Sequence, residues 1–223
     1  MRNRFGKWFD DYVNNCEQAV LLSGDIGYGV FDKLRTNHPR KFLNVGIAEQ
    51  NMIGVAAGLA SKGLSPWVYT ITPFLLYRPF DFVRNLICHQ NLNVKLVGVG
   101  GGVVYDTLGF THYTLEDLSL CKNLPNLKVF LPYDPSSAER CFELASRDNL
   151  PTYIRLMKGG EPDLTHLRKE QGYDVLQSFG SDVLLVGHGS IVSELKLAAE
   201  KLKEKKIKCT VLALWSPEAL REN

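Results

Sequence analysis

No apolar run in this 223-residue sequence approaches the ~20 residues that a bilayer-spanning helix requires. The opening segment Met1-Arg2-Asn3-Arg4-Phe5-Gly6-Lys7-Trp8 is an amphipathic helix start without the hydrophobic core of a signal peptide, so a cytoplasmic protein with no membrane partner is expected. Charge of one sign is also missing. The 26 basic and 24 acidic residues leave a formal net charge of +2, and the lysines between Lys201 and Lys208 are interrupted by apolar residues, as at the solvated end of a helix. Nucleic acid is therefore not an expected partner. The five cysteines, Cys16, Cys88, Cys121, Cys141 and Cys209, are scattered, with no Cys-x-x-Cys pair and no histidine at ligand spacing, which argues for reduced structural thiols and no metal site. What the chain has in quantity is apolar side chains, 45% of residues against 22% charged, enough for one full domain and part of another.

Those apolar residues are arranged as short runs alternating with helical patterns. Ala19-Val20-Leu21-Leu22, Trp67-Val68-Tyr69, Val94-Lys95-Leu96-Val97-Gly98-Val99, Leu127-Lys128-Val129-Phe130 and Thr152-Tyr153-Ile154 read as strands, and helices are predicted near 48–61, 79–90, 114–121 and 135–146. Strands separated by helices of this length predict an α/β fold, a mostly parallel sheet with helices on both faces. Ligands of such sheets bind at the carboxyl ends of the strands. The rhythm pauses at Lys158-Gly159-Gly160-Glu161-Pro162-Asp163, so a first domain over 1–160 is expected, then a linker over 161–180 and the start of a second α/β domain over 181–223. In that second unit His188 stands between Gly187 and Gly189. The pair lacks the third glycine of a dinucleotide fingerprint, and His188 reads as a polar turn residue without a chemical role.

One carboxylate stands out. The run Gly46-Ile47-Ala48-Glu49-Gln50-Asn51-Met52 leads into Ile53-Gly54-Val55-Ala56-Ala57-Gly58-Leu59-Ala60, placing Glu49 on an otherwise apolar helix of small residues. Burying a lone ionised carboxylate is costly, so Glu49 is exposed, paired, or held protonated to hydrogen-bond a specific group. An acidic residue is also favoured in the first turn of any helix, where it opposes the macrodipole.

From Gly24 to about Gly160 the order and spacing of such features resemble the pyrimidine-binding domain of transketolases and of the related deoxyxylulose phosphate synthases. The resemblance implies the fold of that domain, thiamine diphosphate as cofactor, and Glu49 of the Gly-Ile-Ala-Glu-Gln motif as the catalytic residue that hydrogen-bonds the aminopyrimidine. For this work Glu49 should be buried at an interface. Phe74, in Thr72-Pro73-Phe74-Leu75-Leu76-Tyr77-Arg78, matches the aromatic residue that stacks on the pyrimidine, with an ordinary core phenylalanine as the alternative. His112 closes the loop Gly100-Gly101-Gly102-Val103-Val104-Tyr105-Asp106-Thr107-Leu108-Gly109-Phe110-Thr111-His112 and matches the family histidine that reaches the substrate and moves protons. In that loop Leu108 and Phe110 replace the family's aspartate and proline, which puts the usual recognition of a sugar hydroxyl in doubt. Arg155 matches an arginine able to bind a substrate phosphate, or pairs with a neighbouring carboxylate. Asp25, in Ser23-Gly24-Asp25-Ile26-Gly27, matches an acidic residue near the family's site and is read as a cofactor-side residue with an indirect role.

The family's diphosphate and metal motif, Gly-Asp-Gly followed some way on by asparagine, is broken here by Ile26 and has no second match. The resemblance therefore implies a split transketolase. This chain supplies the pyrimidine pocket and the glutamate, and an N-terminal-section partner subunit binds diphosphate and Mg2+. The implied activity is a transketolase-like transferase (EC 2.2.1 type) moving a two-carbon ketol unit between sugars, active only as a heteromer. The alternatives are a β-type subunit of a 2-oxo acid dehydrogenase and a non-catalytic scaffold. Self-association is expected through small residues near Gly54, Ala57 and Gly58, which could equally serve packing within the chain. The unit from Ser181 onward resembles the opening of the transketolase C-terminal domain and, ending at Asn223, is expected to be partial.

Overall fold

The structure is a computed structural model and describes residues 1–220. Ten strands and eight α-helices are recognised among these residues. The first sheet contains β1 (Ala19–Ser23), β2 (Phe42–Asn44), β3 (Ser65–Ile71), β4 (Lys95–Val99), β5 (Lys128–Phe130) and β6 (Thr152–Leu156). Their order is β2-β1-β3-β4-β6-β5 and every pairing is parallel, as the alternation of strands and helices predicts. β4 is buried at all five positions, because the sheet is covered on both faces and its central strand meets water on neither.

One face of the sheet is covered by α1 (Arg2–Tyr12), α2 (Asp32–Asn37) and α7 (Pro135–Arg147). Phe5 and Phe9 of α1 lie one turn apart, and Phe5 is the centre of an aromatic cluster. Its ring stacks on Tyr69 at 5.8 Å, meets Phe31 edge-on at 5.9 Å and contacts Phe142 at 5.1 Å. The other face takes α3 (Glu49–Ser61), α4 (Thr72–Leu76), α5 (Phe80–Phe82, continued by a π-helical segment Val83–Cys88) and α6 (Asp117–Lys122). There Met52, Ile53 and Ala56 pack on Leu22, Val68 and Leu96. The expected helix at 79–90 is thus a short α-turn that widens into π geometry.

Two devices tie the chain at the edges of this layer. Asp134 caps α7 by accepting from the Ser137 amide at 2.7 Å, and its other oxygen accepts from the Leu164 amide at 2.8 Å. Lys95 is fully buried at the amino end of β4, where its ammonium donates to the carbonyls of Asp148 and Leu150, both at 2.7 Å. Burial pushes its pKa down to about 7, with the Asp148 carboxylate opposing.

The second sheet is mixed, in the order β7-β8-β10-β9, from β7 (Arg168–Lys169), β8 (Tyr173–Ser178), β9 (Val183–Gly187) and β10 (Cys209–Leu214). β9 and β10 are parallel and joined by α8 (Ile191–Glu204), whereas β8 runs antiparallel to both β7 and β10. The stretch 161–180 is therefore not simply a linker. β7 and β8 arise within it, and sequence alone gave no sign of them because β7 is two exposed charged residues and β8 mixes polar with apolar ones. Among the described residues no helix is long and apolar enough to cross a membrane.

The sheets are joined through Asp174 of β8, which is wholly buried. It accepts from the Tyr133 hydroxyl at 2.6 Å and is gripped by both terminal nitrogens of Arg140 on α7, whose guanidinium lies 4.8 Å from the Trp215 ring centroid. Removing one member of a buried ion pair leaves the other charged, buried and unpartnered. Asp174→Ala should cost about 3–5 kcal/mol in urea unfolding, whereas Glu143→Ala, on the exposed face of α7, should change stability by under about 1 kcal/mol.

Candidate functional site

The carboxyl ends of β1, β3, β4 and β6 open onto one rim of the first sheet, and the loops leaving them carry the residues singled out by the sequence. The loops after β1 and β2 are knitted by Asn44. Its side-chain oxygen accepts from the Asp25 and Gly46 amides, at 3.1 and 2.9 Å, and its amide nitrogen donates to Asp25 Oδ1 at 2.9 Å. Asp25 sits at φ +57°, a left-handed conformation that an aspartate tolerates when its side chain is bonded locally. The Asn44 contact, and then the Tyr28 hydroxyl at 2.7 Å, hold its carboxyl below the usual carboxylate range. Asp25 is thus engaged in shaping the entry to α3.

Glu49 begins α3, where the positive end of the helix favours an anion. It is 2% exposed. Of the three states left open by the sequence, the structure has the paired one: Arg78 Nη1 donates to Glu49 Oε2 at 2.7 Å. A Cβ on Gly24 would sit 3.5 Å from Glu49 Cγ and 3.2 Å from Thr70 Oγ1, so glycine at the end of β1 lets glutamate and threonine converge. Thr70 Oγ1 is buried and has no hydrogen-bond partner among the described residues.

Phe74, on α4, is half-buried. The Arg78 guanidinium lies over its ring, Cζ 4.8 Å from the centroid, and the His112 imidazole meets it edge-on at 5.1 Å and 80°. His112 Nδ1 is 3.1 Å from the Thr111 hydroxyl, and its ring is 6.4 Å from that of Tyr105. Over Tyr105 in turn stands the Lys158 ammonium, 5.1 Å from the ring centroid. Glu49, Arg78, Phe74, His112, Tyr105 and Lys158 therefore form one continuous line across the rim. Beside it, Leu108 and Phe110 are exposed, Phe110 to 82%, so the two departures from the family pattern present apolar surface next to His112.

Arg155 is held to one side. Its Nη1 is 3.5 Å from Asp117 Oδ1, its Nη2 donates to the Thr114 carbonyl at 3.4 Å, and its side chain is 13% exposed. A Cβ on Gly101 would lie 2.2 Å from Arg155 Nε, so that loop passes over the guanidinium only as glycine. Asp117 is fully buried and also accepts from the Tyr153 hydroxyl at 2.7 Å. Burial pushes its carboxyl up, against the pull of Arg155 and Tyr153. The pairing alternative for Arg155 is thus realised. The arginine nevertheless lines a cavity of about 410 Å³ between the two sheets, with Gly101, Gly102, Met157, His188 and Ser190. His188, read as a mere turn residue, is a wall of that cavity.

Sequence reasoning missed Arg78, Asp117 and Lys158. The signal for Arg78 was its nearness, four residues after Phe74 in the turn that follows α4; for Asp117 and Lys158 there was none, since their partners are 38 and 53 residues away in sequence. Of the small residues on α3, Gly54 faces Phe82 of the same chain, a Cβ there lying 3.6 Å from the ring, whereas Gly58 is exposed and a Cβ there would meet nothing within 4 Å among the described residues. Among the described residues no group of three or more histidine, cysteine, aspartate or glutamate side chains could hold a metal ion.

Comparison with known proteins finds two family matches, "Transketolase, pyrimidine binding domain" over residues 1–161 and "Transketolase, C-terminal domain" over residues 172–223. Among curated proteins the chain is 33% identical over 205 residues to the 6-deoxy-6-sulfo-D-fructose transketolase subunit SqwH of Clostridium sp. (strain MSTE9), covering 91% of this chain and 64% of that one. It is 36% identical over 177 residues to an apulose-4-phosphate transketolase subunit of Actinobacillus succinogenes, covering 78% and 57%. The chain thus spans about 57–64% of the length of these relatives. Among solved structures it superposes with a TM-score of 0.85 on a split gene transketolase described as an inactive beta4 tetramer, at 33% identity over 96% of this chain and 71% of that one. The transketolase of Campylobacter jejuni, at 20% identity and a TM-score of 0.86 over 100% of this chain and 36% of that one, shares the fold.

The cavity makes a prediction about acid. Burial pushes the His188 pKa below its ordinary 6.5, the Arg155 guanidinium adds to this, and Asp117 opposes it. Near pH 7.5 the imidazole is neutral in folded and unfolded chains alike. As pH falls through about 6.5 the unfolded chain takes up the proton first, so stability is lost until folded His188 protonates as well. Unfolding free energies measured near pH 7.5 and pH 5.5 should fall further for wild type than for His188→Gln.

Proposed function

The chain belongs to the transketolase family, and from that premise we propose that it is one subunit of a split, thiamine diphosphate-dependent transferase that moves a two-carbon ketol unit between sugars. The single observation that carries this reading is Glu49, a buried carboxylate at the carboxyl rim of a parallel sheet, one guanidinium away from an aromatic ring. The residues present fit the aminopyrimidine end of the cofactor. Glu49 offers a carboxyl to a ring nitrogen, Phe74 a ring to stack on, and the unpartnered Thr70 hydroxyl a further polar contact. They do not fit its diphosphate, which needs a metal and an anion cradle. We assign Mg2+ and the diphosphate to a partner subunit.

When bound, the cofactor supplies a nucleophilic carbon that cleaves the bond beside a ketose carbonyl. The chain's residues do the rest. Glu49, buried at the start of α3, shares a proton with the aminopyrimidine once Arg78 is released. Phe74 and the loop after β4 exclude water from the ring. His112, against Phe74, donates to or accepts from a substrate oxygen. Arg155, held by Asp117 and Thr114, provides a fixed positive charge, and exposed Lys158 a movable one three residues on, which together suit a sugar carrying phosphate or another strong anion. Phe110 and Leu108 replace polar recognition with apolar contact, which favours an acceptor or donor poorer in hydroxyls at that position. A second copy of this chain is expected against the exposed side of α3, where Gly58 leaves open space.

Mixed with a partner carrying the diphosphate motif, wild type should transfer ketol units between sugars, and Glu49→Gln should reduce the rate at least about a hundredfold, the scale of a lost acid–base group. Turnover unaffected by Glu49→Gln would refute the reading. With the same mixture, Lys158→Met should raise KM for a phosphorylated sugar about tenfold while kcat stays within about twofold, the pattern of a lost binding contact.

A further inference from the structure

The guanidinium of Arg78 makes two contacts: it lies over the face of Phe74, 4.8 Å from the ring centroid, and it donates to Glu49 Oε2 at 2.7 Å. These are the two contacts that an aminopyrimidine needs from this chain. A guanidinium is planar, delocalised and edged with N–H donors, which makes it a physical analogue of that ring. One ring face and one carboxyl edge cannot serve both. We propose that Arg78 is a competitor built into the cofactor pocket, so that the aminopyrimidine enters only as Arg78 leaves and the strength of the Arg78 contacts sets the cofactor's affinity. The inference rests on the assignment of Glu49 and Phe74 to the aminopyrimidine.

The two arginines of the rim differ in the way this role requires. Arg155 is 13% exposed and held to Asp117 and to a backbone carbonyl under the Gly101 loop, so releasing it would strand a guanidinium in a closed place. Arg78 is 49% exposed, and among the described residues its side chain hydrogen-bonds to Glu49 alone, so it needs only to leave the Phe74 face and rotate into water. Its departure also changes Glu49. With Arg78 gone, Glu49 Oε2 loses its hydrogen-bond donor and its carboxyl edge is open to the incoming ring. Entry of the ring and readiness of the glutamate are thereby linked through one side chain.

The test is calorimetric titration of thiamine diphosphate, with Mg2+, into the assembled complex of this chain and its diphosphate-binding partner. Arg78→Met keeps the apolar stem and removes the competing fork, and binding should tighten about tenfold, which is ~1.4 kcal/mol. Arg78→Gln, a second variant that retains polarity, should tighten in the same direction. Arg78→Lys, whose ammonium pairs with Glu49 but cannot stack as a plane, should fall between. Unchanged or weaker binding in both Arg78→Met and Arg78→Gln overturns the proposal and would make Arg78 a bystander or a ligand of the cofactor. Glu49→Gln separates this from the premise. If that variant binds like wild type, the pocket assignment itself fails; if it binds more weakly while the Arg78 variants gain nothing, only the role of Arg78 fails.

Discussion

A parallel sheet buried on both faces leaves ionisable side chains room only at its two rims, and each charge placed there must find its own partner. At the amino rim Lys95 is solvated by two backbone carbonyls in place of water. At the carboxyl rim Glu49 and Asp117 start helices whose dipoles favour an anion, and each is matched by an arginine, Arg78 from the turn after α4 and Arg155 from β6. The apolar layers on either side, with Phe5 at the centre of one and Met52 in the other, favour these placements, because they keep water from the interior strands such as β4.

The two carboxylate–arginine pairs look equivalent and are not. Asp117 and Arg155 are closed in by Tyr153, Thr114 and the glycine loop at Gly101, so that pair behaves as part of the frame. Glu49 and Arg78 join a buried acid to a half-exposed base, and the buried partner is the one to which the proposed function gives a chemical task. Burial leaves Glu49 facing the Arg78 guanidinium, and exposure makes Arg78 easy to exchange. The line running on through Phe74, His112, Tyr105 and Lys158 places an aromatic platform, a titratable imidazole and a movable ammonium in sequence along the same rim.

The second sheet contributes through position. Asp174, Tyr133 and Arg140 fasten it to α7, and the turn after β9 then brings His188 against Arg155 across the intervening cavity. A histidine in a tight glycine turn has no evident purpose in isolation. Set opposite a buried guanidinium it becomes a group whose protonation the fold resists.

The sequence by itself determined the class of fold and the family. Apolar runs alternating with helical patterns dictate a covered parallel sheet, and the Gly-Ile-Ala-Glu-Gln run, the aromatic helix after β3 and the histidine after β4 lie within short, ordered stretches that survive in a linear reading. It also marked Glu49 as a carboxylate in need of an explanation. Only the tertiary structure decided which explanation holds, because the partner that neutralises Glu49 is 29 residues away, the one that holds Arg155 is 38 away, and neither distance leaves a periodic trace. The strands β7 and β8 were illegible for a related reason: β8 takes its place in the second sheet by pairing with β10, more than thirty residues further along the chain, and β7 takes its place by pairing with β8, neither from local preference. Local chemistry writes periodicity and motifs into the chain, whereas burial and charge pairing are properties of the packed whole.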